Sequence, residues 1–131
     1  MEGAPAAFHP EGVATRVLIV DDQREFRRVA RELLTRRGYR VVGEAGCGLT
    51  ALEAAARQRP DAILLDVRLG DESGVDVAQA LSRACPGAAV LLVSNADYGT
   101  GGDLLRSAGA SGFLLKARLA TADLSAYWPS A

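Results

Sequence analysis

Five short apolar runs constrain the fold of this chain more than any other feature of its sequence. Each run is too short for a helix and rich in Val, Ile and Leu; the runs cover residues 17–20, 41–42, 62–65, 90–93 and 113–115. Continuous rather than alternating hydrophobicity is typical of strands that are buried on both faces of a parallel sheet. The pattern therefore predicts five buried strands.

Segments with helical spacing lie between the first three runs. The first segment keeps its apolar residues on one face and its six arginines largely elsewhere, and it is expected to end near Gly38. The second is expected to end before Pro60, which cannot continue a helix. The apolar residues assigned to the two helices are Phe26, Val29, Leu33 and Leu34, followed by Leu49, Leu52, Ala55 and Ala56.

Three further helices are expected, one after each of the third, fourth and fifth apolar runs. Ser73 is placed to cap the third helix, with Asp76 three residues on, and this helix stops before Pro86. A fourth helix over residues 97–108 is Gly-rich, so it should be short or frayed. A last helix over residues 122–128 should also be short.

Strands that alternate with helices predict an α/β domain, a three-layer sandwich with helices on both faces of a parallel sheet. A chain of 131 residues can bury one such core but not two. We assign residues 16–131 to this domain and residues 1–15 to a flexible N-terminal extension.

Composition narrows the function classes. A formal net charge of −1 gives no general attraction to nucleic acid or acidic membranes. The sequence contains no apolar run as long as a membrane span, so we expect a cytoplasmic location. Cys47 and Cys85 lack the spacing of metal ligands and are expected to be reduced residues near the ends of helices or strands.

Four of the five apolar runs are followed directly by a polar residue. Asp21 and Asp22 come after the first run, Asp66 after the third, Ser94 after the fourth and Lys116 after the fifth. Ligands of open α/β sheets bind beyond the carboxyl ends of the strands, where these side chains would meet. Each residue alone is compatible with an ordinary cap, loop or surface position, but the whole set predicts one polar site.

Lys116 is the single lysine among fifteen basic residues; the other fourteen are Arg. A compact ammonium on a flexible stem can contact a carboxylate and a phosphoryl oxygen in a crowded pocket, whereas Arg presents a larger planar fork. The lysine therefore suggests a specific requirement, with chance as the alternative.

Three neighbouring carboxylates repel one another unless a cation lies among them. All the ligands that the motif offers are oxygens, and a hard cation such as Mg²⁺ fits them best. Asp66 would then attack phosphorus as a carboxylate nucleophile and form an acyl phosphate, with Ser94 and Lys116 holding the phosphoryl oxygens.

At these residues the chain resembles the receiver domain of two-component response regulators, the CheY-like family, over residues 16–128. The matching segments occur in the family's order and spacing: Val-Leu-Ile-Val-Asp-Asp (17–22), Leu-Leu-Asp-Val-Arg-Leu (64–69) followed by Ser73-Gly74, Leu-Val-Ser (92–94) and Ala-Gly-Ala-Ser-Gly-Phe-Leu-Leu-Lys (108–116). The resemblance implies a flavodoxin-like sheet with strand order 2-1-3-4-5.

The resemblance also implies a role for each pocket residue. Asp66 is the phosphorylation site, and Lys116 binds the phosphoryl group. The implied Mg²⁺ ligands are Asp21, Asp22, Asp66 and the backbone carbonyl of Arg68. Ser94 matches the switch hydroxyl and Phe113 the switch aromatic, which report phosphorylation to the surface of the fourth helix, fifth strand and fifth helix. For Phe113, a plain core aromatic is the competing interpretation.

The chain departs from the family pattern in three places. Ala117 follows the lysine where proline is usual, so we expect a trans peptide bond there. Gly70 stands where proline is common, and the fourth helix is Gly-rich, so signalling there would use the ordering of a mobile segment. The side chain of Arg68 would contact the phosphoryl group or an acid, or form a surface ion pair.

The resemblance implies a phosphoacceptor rather than an enzyme, with a sensor histidine kinase or phosphotransfer protein and a downstream protein effector as partners; a homodimer stays open. The arginines of the first helix are expected to form a solvated face, with kinase docking a better second interpretation than DNA binding. We expect a stand-alone receiver.

Three alternatives remain. The chain would be the N-terminal receiver of a truncated DNA-binding transcriptional regulator, or a receiver-like domain that binds partners without phosphorylation. The third alternative is a small α/β phosphohydrolase, which ranks low because such enzymes commonly carry a second acid at the position of Arg68.

Overall fold

The computed structural model describes residues 14–96 and 108–128. Residues 1–13 of the predicted extension and all but the last residue of the predicted fourth helix lie outside these ranges. The described residues contain a five-stranded parallel sheet of β1 (Arg16–Val20), β2 (Arg40–Ala45), β3 (Ala62–Asp66), β4 (Ala89–Ser94) and β5 (Ala110–Leu115). The strand order is β2-β1-β3-β4-β5, which confirms the predicted fold.

Three α-helices connect the first four strands: α1 (Arg24–Arg36), α2 (Gly48–Gln58) and α3 (Gly74–Ala84). Gly38 ends α1 as predicted: its φ is +94°, and the Tyr39 N–H donates to the Leu34 carbonyl at 3.0 Å. Such left-handed termini favour glycine. α3 begins after Ser73 as predicted, but the Ser73 side chain makes no capping hydrogen bond.

Side chains of the central strands alternate between two buried layers. Leu18, Ile63 and Leu92 belong to one apolar cluster, which includes residues of α2 and α3. Ile19, Leu64 and Leu91 belong to the other, which includes Ala30 and Leu34 of α1. Burial on both faces explains why these strands are continuously apolar, and it confirms the three-layer arrangement.

The helices approach the sheet through small residues, which corrects three positions that were assigned to the apolar faces of the helices. Val29 is 48% exposed and Leu49 is 67% exposed, although both were assigned to apolar faces. Ala30 in α1 and Ala51 in α2 are buried instead. An alanine lets a helix lie close to a sheet. The buried face of each helix is therefore rotated by about one residue position relative to the predicted apolar face. Ala56 is exposed for the same reason.

The segment after β5 also differs from the prediction. Two 3-10 turns, Lys116–Arg118 and Leu124–Ala126, replace the expected α-helix over residues 122–128. The apolar side chains of the segment after β5 are still buried, on the face of the sheet that α1 covers: Leu119, Leu124 and Trp128. So short a segment gains too few helical hydrogen bonds to offset the cost of nucleation, and the burial of its anchors decides its path.

A small hairpin that the sequence did not predict follows β3. Arg68–Leu69 pairs with Glu72–Ser73 in antiparallel register, and Gly70 takes a φ of +60° in the turn. Cys47 precedes α2, Cys85 follows α3, and both thiols are free, as predicted. In the described ranges no helix has the length and apolar character that a membrane crossing requires.

Candidate functional site

The polar residues that follow the strands converge at one edge of the sheet. Lys116 Nζ lies 2.7 Å from Asp21 Oδ2 and 3.1 Å from Asp66 Oδ2. One carboxylate oxygen from each of Asp21, Asp22 and Asp66 lies within 4.8 Å of the others. Asp22, Asp66 and Ser94 line the same cavity of about 210 Å³. Side chains that are tens of residues apart in the sequence therefore share one pocket.

The backbone near β1 holds the Asp21 side chain in place. Asp21 extends the pairing of β1 with β2, because its N–H donates to the Ala45 carbonyl at 2.9 Å. Its Oδ1 accepts a hydrogen bond from the Gln23 N–H at 2.8 Å. The side chain is fully buried, whereas that of its neighbour Asp22 is exposed. One acid thus forms the floor of the pocket and the other its rim.

Asp66 is held at the end of β3 in a similar way. Its Oδ1 accepts a hydrogen bond from the Arg68 N–H at 3.0 Å, and its Oδ2 faces Lys116. Gly74, the first residue of α3, packs against the backbone carbonyls of Asp66 and Val67, where a Cβ would overlap them. The Ser73-Gly74 pair of the sequence pattern therefore has a steric reason: only glycine lets α3 begin this close to Asp66.

Lys116 enters the pocket beside an aromatic ring. Its Nζ lies 4.2 Å from the centroid of the Phe26 ring, a cation–π distance, and its side chain is only 7% exposed. Burial alone would lower the pKa of Lys116, but pairing with Asp21 and then Asp66 outweighs it and raises the pKa. The ammonium therefore keeps its proton at neutral pH.

The Asp21 carboxylate is buried beside a second acid as well as beside Lys116. Burial raises the pKa of Asp21, and Asp66 raises it further, against the opposing effects of Lys116 and the Gln23 N–H. Asp21 Oδ2 makes no well-directed hydrogen bond within the described residues. A buried oxygen of this kind beside two further carboxylates suits a hard divalent cation, since all the donors are oxygens.

The remaining predicted residues lie around the same pocket. Arg68 lines the cavity with Gly70, and the Ser94 Oγ accepts a hydrogen bond from the Ala96 N–H at 3.2 Å. Phe113 is half-buried and packs against the apolar cluster of α2 and α3. The Lys116–Ala117 peptide bond is trans, as expected. The switch roles of Ser94 and Phe113, and the Arg68 carbonyl as a ligand, stay predictions.

The sequence analysis missed three side chains that hold the pocket and its neighbouring loops. Arg27 was assigned to a solvated face, yet its Nη1 donates to the Asp21 carbonyl at 2.6 Å. Arg37 departs from that face as well, since its guanidinium donates to the Leu119 and Ala122 carbonyls. Glu72 Oε1 accepts a hydrogen bond from the Gly48 N–H at 2.7 Å and so caps α2 from the hairpin. No local pattern predicts such partners.

Comparison with known proteins identifies relatives of the whole domain. A family model described as the response regulator receiver domain matches residues 17–126. The nitrate/nitrite response regulator protein NarP of Escherichia coli is 40% identical over 108 residues, which are 82% of this chain and 50% of NarP. The chain spans about half the length of the curated relatives it matches.

Solved structures agree with this comparison. The signal receiver domain of the response regulator NarL from Mycobacterium tuberculosis is 34% identical, with a TM-score of 0.70 over 85% of this chain and 94% of that one. A response regulator from Burkholderia pseudomallei, crystallised with a phosphorylated aspartic acid, a calcium ion and citrate, is 28% identical, with a TM-score of 0.70 over 85% of this chain and 62% of that one.

Proposed function

Because the chain belongs to the response regulator receiver domain family, we propose that it accepts a phosphoryl group on Asp66 from a histidine kinase or phosphotransfer protein. One observation carries this proposal: the Asp66 carboxylate shares a cavity with Asp22 and Ser94, and its Oδ2 lies 3.1 Å from Lys116 Nζ. The phosphorylated aspartic acid in the B. pseudomallei relative supports the same chemistry.

The proposed reaction is a phosphoryl transfer between two nucleophiles. A carboxylate oxygen of Asp66 forms a bond to phosphorus as the bond from phosphorus to the donor's imidazole nitrogen breaks, and that nitrogen keeps the electron pair. The product is an acyl phosphate. Lys116 pairs with the phosphoryl oxygens, and the Ser94 hydroxyl, on the same cavity wall, donates to one of them.

The same pocket fits a divalent cation, which we propose to be Mg²⁺. Asp21, Asp22, Asp66 and the Arg68 carbonyl would hold it, in keeping with the three clustered carboxylates, of which Asp21 is fully buried. When bound, the cation neutralises the negative charge of the phosphoryl group and the acids. The calcium ion in the B. pseudomallei relative is consistent with a site for hard cations.

We propose that the output of the domain is a change of protein contacts rather than turnover of a substrate. Ser94 and Phe113 lie on neighbouring strands, β4 and β5, so a shift of Ser94 toward the phosphoryl group would alter the space available to the Phe113 ring. The affected surface includes β5 and the residues before and after it. A downstream effector protein, and a second copy of the chain, are candidates to bind there in the cytoplasm.

Two arrangements of the whole protein use this site equally well. A stand-alone receiver was expected from the sequence, whereas the curated relatives are about twice as long as the matched region. The alternative is that the chain is the N-terminal receiver of a longer DNA-binding transcriptional regulator. The length of the encoding reading frame distinguishes the two.

Intact-mass measurement tests the phosphoacceptor role. The chain is incubated with Mg²⁺ and a small acyl phosphate donor, and separately with its kinase and ATP. We expect a mass increase of one phosphoryl group that hydroxylamine removes, because hydroxylamine cleaves acyl phosphates. The increase should be absent in Asp66→Asn, which lacks the nucleophilic carboxylate.

Asp61→Asn is the matched control. Asp61 precedes β3 at the end opposite Asp66, and its Oδ2 accepts a hydrogen bond from the Arg16 N–H at 2.9 Å. This variant should be phosphorylated like the wild type. A wild-type chain that gains no phosphoryl group from either donor would contradict the proposal and favour a receiver-like domain that works without phosphate.

A further inference from the structure

Arg27 connects three parts of the structure near the acidic pocket. It lies in the second turn of α1, and its side chain is only 20% exposed. Its Nη1 donates to the Asp21 carbonyl at 2.6 Å, and its Nε donates to Glu44 Oε1, on β2, at 3.1 Å. The planar guanidinium can make both bonds at once because its donors point in fixed, different directions.

These bonds complete the fixation of Asp21. Its N–H is held by the Ala45 carbonyl and its Oδ1 by the Gln23 N–H, so the carbonyl is the group that Arg27 fixes. This carbonyl belongs to the peptide that joins Asp21 to Asp22. The orientation of that peptide sets the positions of two of the three clustered carboxylates relative to each other.

Glu44 in turn fixes Arg27. Its second oxygen, Oε2, accepts a hydrogen bond from Arg31 Nε at 2.6 Å, so two arginines of α1 hold the carboxylate from one side. The neighbouring Arg28 differs: its ion-pair partners, Glu25 and Glu32, lie on α1 itself.

We propose that Arg27, held by Glu44, is a positioning residue that sets Asp21 and Asp22 in the geometry needed to bind a divalent cation. This inference rests on the proposed function, because it concerns the cation site of the same pocket. Within the part of the chain that the structure describes, Arg27 bonds neither to the clustered carboxylate oxygens nor to the Asp66 side chain; it acts through the Asp21 carbonyl.

The charge and the geometry of Arg27 predict opposite effects on the cation. A positive charge near the pocket repels a divalent cation, so removing the charge alone would tighten binding. Removing the bond to the Asp21 carbonyl frees the peptide between two ligands, which weakens binding. Supporting residues of metal ligands typically contribute about 10-fold to 100-fold in affinity or activity. We therefore expect the geometric effect to prevail.

Calorimetric titration of the full chain with MgCl₂ alone, at fixed ionic strength, measures this directly. Arg27→Gln should raise the dissociation constant for Mg²⁺ about tenfold, which means weaker binding. Arg27→Lys keeps the charge but cannot reproduce both bonds of the fork, so it should lie between Arg27→Gln and the wild type. Phosphorylation by a small acyl phosphate donor should need more Mg²⁺ in Arg27→Gln and approach the wild-type rate at saturation.

Matched controls separate position from general charge. Arg28→Gln removes the same charge from the next residue and should bind Mg²⁺ within about twofold of wild type, as expected for an exposed ion pair. Glu44→Gln should weaken binding in the same direction as Arg27→Gln, and more than Glu32→Gln, which removes an exposed glutamate from α1. If Arg27→Gln fails to fold, Glu44→Gln and Arg27→Lys decide the question.

Three results would overturn the inference: unchanged or tighter Mg²⁺ binding by Arg27→Gln, an equal loss in Arg28→Gln, or an Arg27→Lys variant identical to wild type. Failure of the proposed function has a different signature. In that case the wild type binds no Mg²⁺, or it binds Mg²⁺ as tightly as Asp66→Asn does. A wild type that binds Mg²⁺ through Asp66, with unaffected Arg27 and Glu44 variants, refutes the positioning role alone.

Discussion

Lys116 is the residue of the pocket whose replacement tests how much the buried ion pairs stabilise the fold. Its ammonium lies between the buried oxygens of Asp21 and Asp66, at 2.7 Å and 3.1 Å. Lys116→Met keeps a similar length but leaves the two carboxylates without this cation. Breaking a buried ion pair by removing one partner costs about 3 kcal/mol or more. We expect the free energy of unfolding at pH 7, measured with urea in the absence of divalent cations, to fall by about that amount.

Arg118→Met is the control for this prediction. Arg118 is an exposed basic residue two positions further along the chain, in the same 3-10 turn. Its replacement should change the free energy of unfolding by less than about 0.5 kcal/mol, as for most surface substitutions. Equal effects of the two variants would mean that the Lys116 ion pairs do not stabilise the fold.

At the residue scale, the sequence predicted the pocket acids and the lysine because each directly follows a buried strand. Strands are recognised from local hydrophobicity, and parallel strands bring their carboxyl ends to one edge. The role of Arg27 could not be predicted in this way. Six arginines of similar spacing lie between residues 24 and 37, and nothing local distinguishes the two that bond to backbone carbonyls, Arg27 and Arg37.

At the scale of secondary-structure elements, β5 packs closely against Tyr127, the residue that follows the Leu124–Ala126 turn. Gly112 lies under the Tyr127 ring, and a Cβ on Gly112 would overlap the ring atoms. Gly112→Ala should therefore displace the Leu124–Ala126 turn or strain it. Overpacking of this kind typically costs about 1–3 kcal/mol. Urea denaturation followed by Trp128 fluorescence measures the loss, because Trp128 is buried on the same face.

A double-mutant cycle identifies the cause of that loss. In a Tyr127→Ala background, Gly112→Ala should cost much less, since the overlapping ring is gone. Gly87→Ala provides a control substitution, because no atom lies within 4 Å of a Cβ at Gly87. An equal cost of Gly112→Ala in both backgrounds would show that the ring contact is not responsible.

The contact between α1 and β2 predicts a dependence of stability on pH. Partial burial acts to raise the pKa of Glu44, but hydrogen bonds from Arg31 and Arg27 outweigh it and hold the pKa below its ordinary value of 4.5. Since the pKa is lower in the folded state, the stabilisation is present above pH 4.5 and is lost as the pH falls through the folded-state pKa. At neutral pH it should amount to less than about 1 kcal/mol, because the pair is partly exposed.

Urea denaturation of wild type and Glu44→Gln between pH 7 and pH 3 tests this dependence. The variant should be the less stable protein at pH 7, and the difference should shrink as Glu44 of the wild type takes up its proton. Glu32→Gln, with a long contact of 3.8 Å to Arg28, should show a smaller difference. A gap between wild type and Glu44→Gln that widens on acidification would contradict the assignment.

At the scale of the whole molecule, the site exists because the sheet is buried on both faces. Helices α1, α2 and α3 and the segment after β5 cover the two layers, so the edges at the strand ends are the places where polar groups collect. The five strands, their order and the bounds of α1, α2 and α3 could be predicted from periodicity, stop signals and the family resemblance. The last helix could not, because a segment this short takes its shape from the surface it packs on.

The sequence by itself determined where the buried strands lie, where the helices stop and which polar residues follow the strands. These are local properties, set by hydrophobic runs and by residues such as Gly38 and Pro60. Only the tertiary structure decided that Arg27 bonds to Asp21, that Glu72 caps α2, and that alanines rather than Val29 and Leu49 face the core. The reason is physical: hydrogen bonds and close packing depend on distances of a few ångströms between residues far apart in the chain, and these arise when the layers assemble.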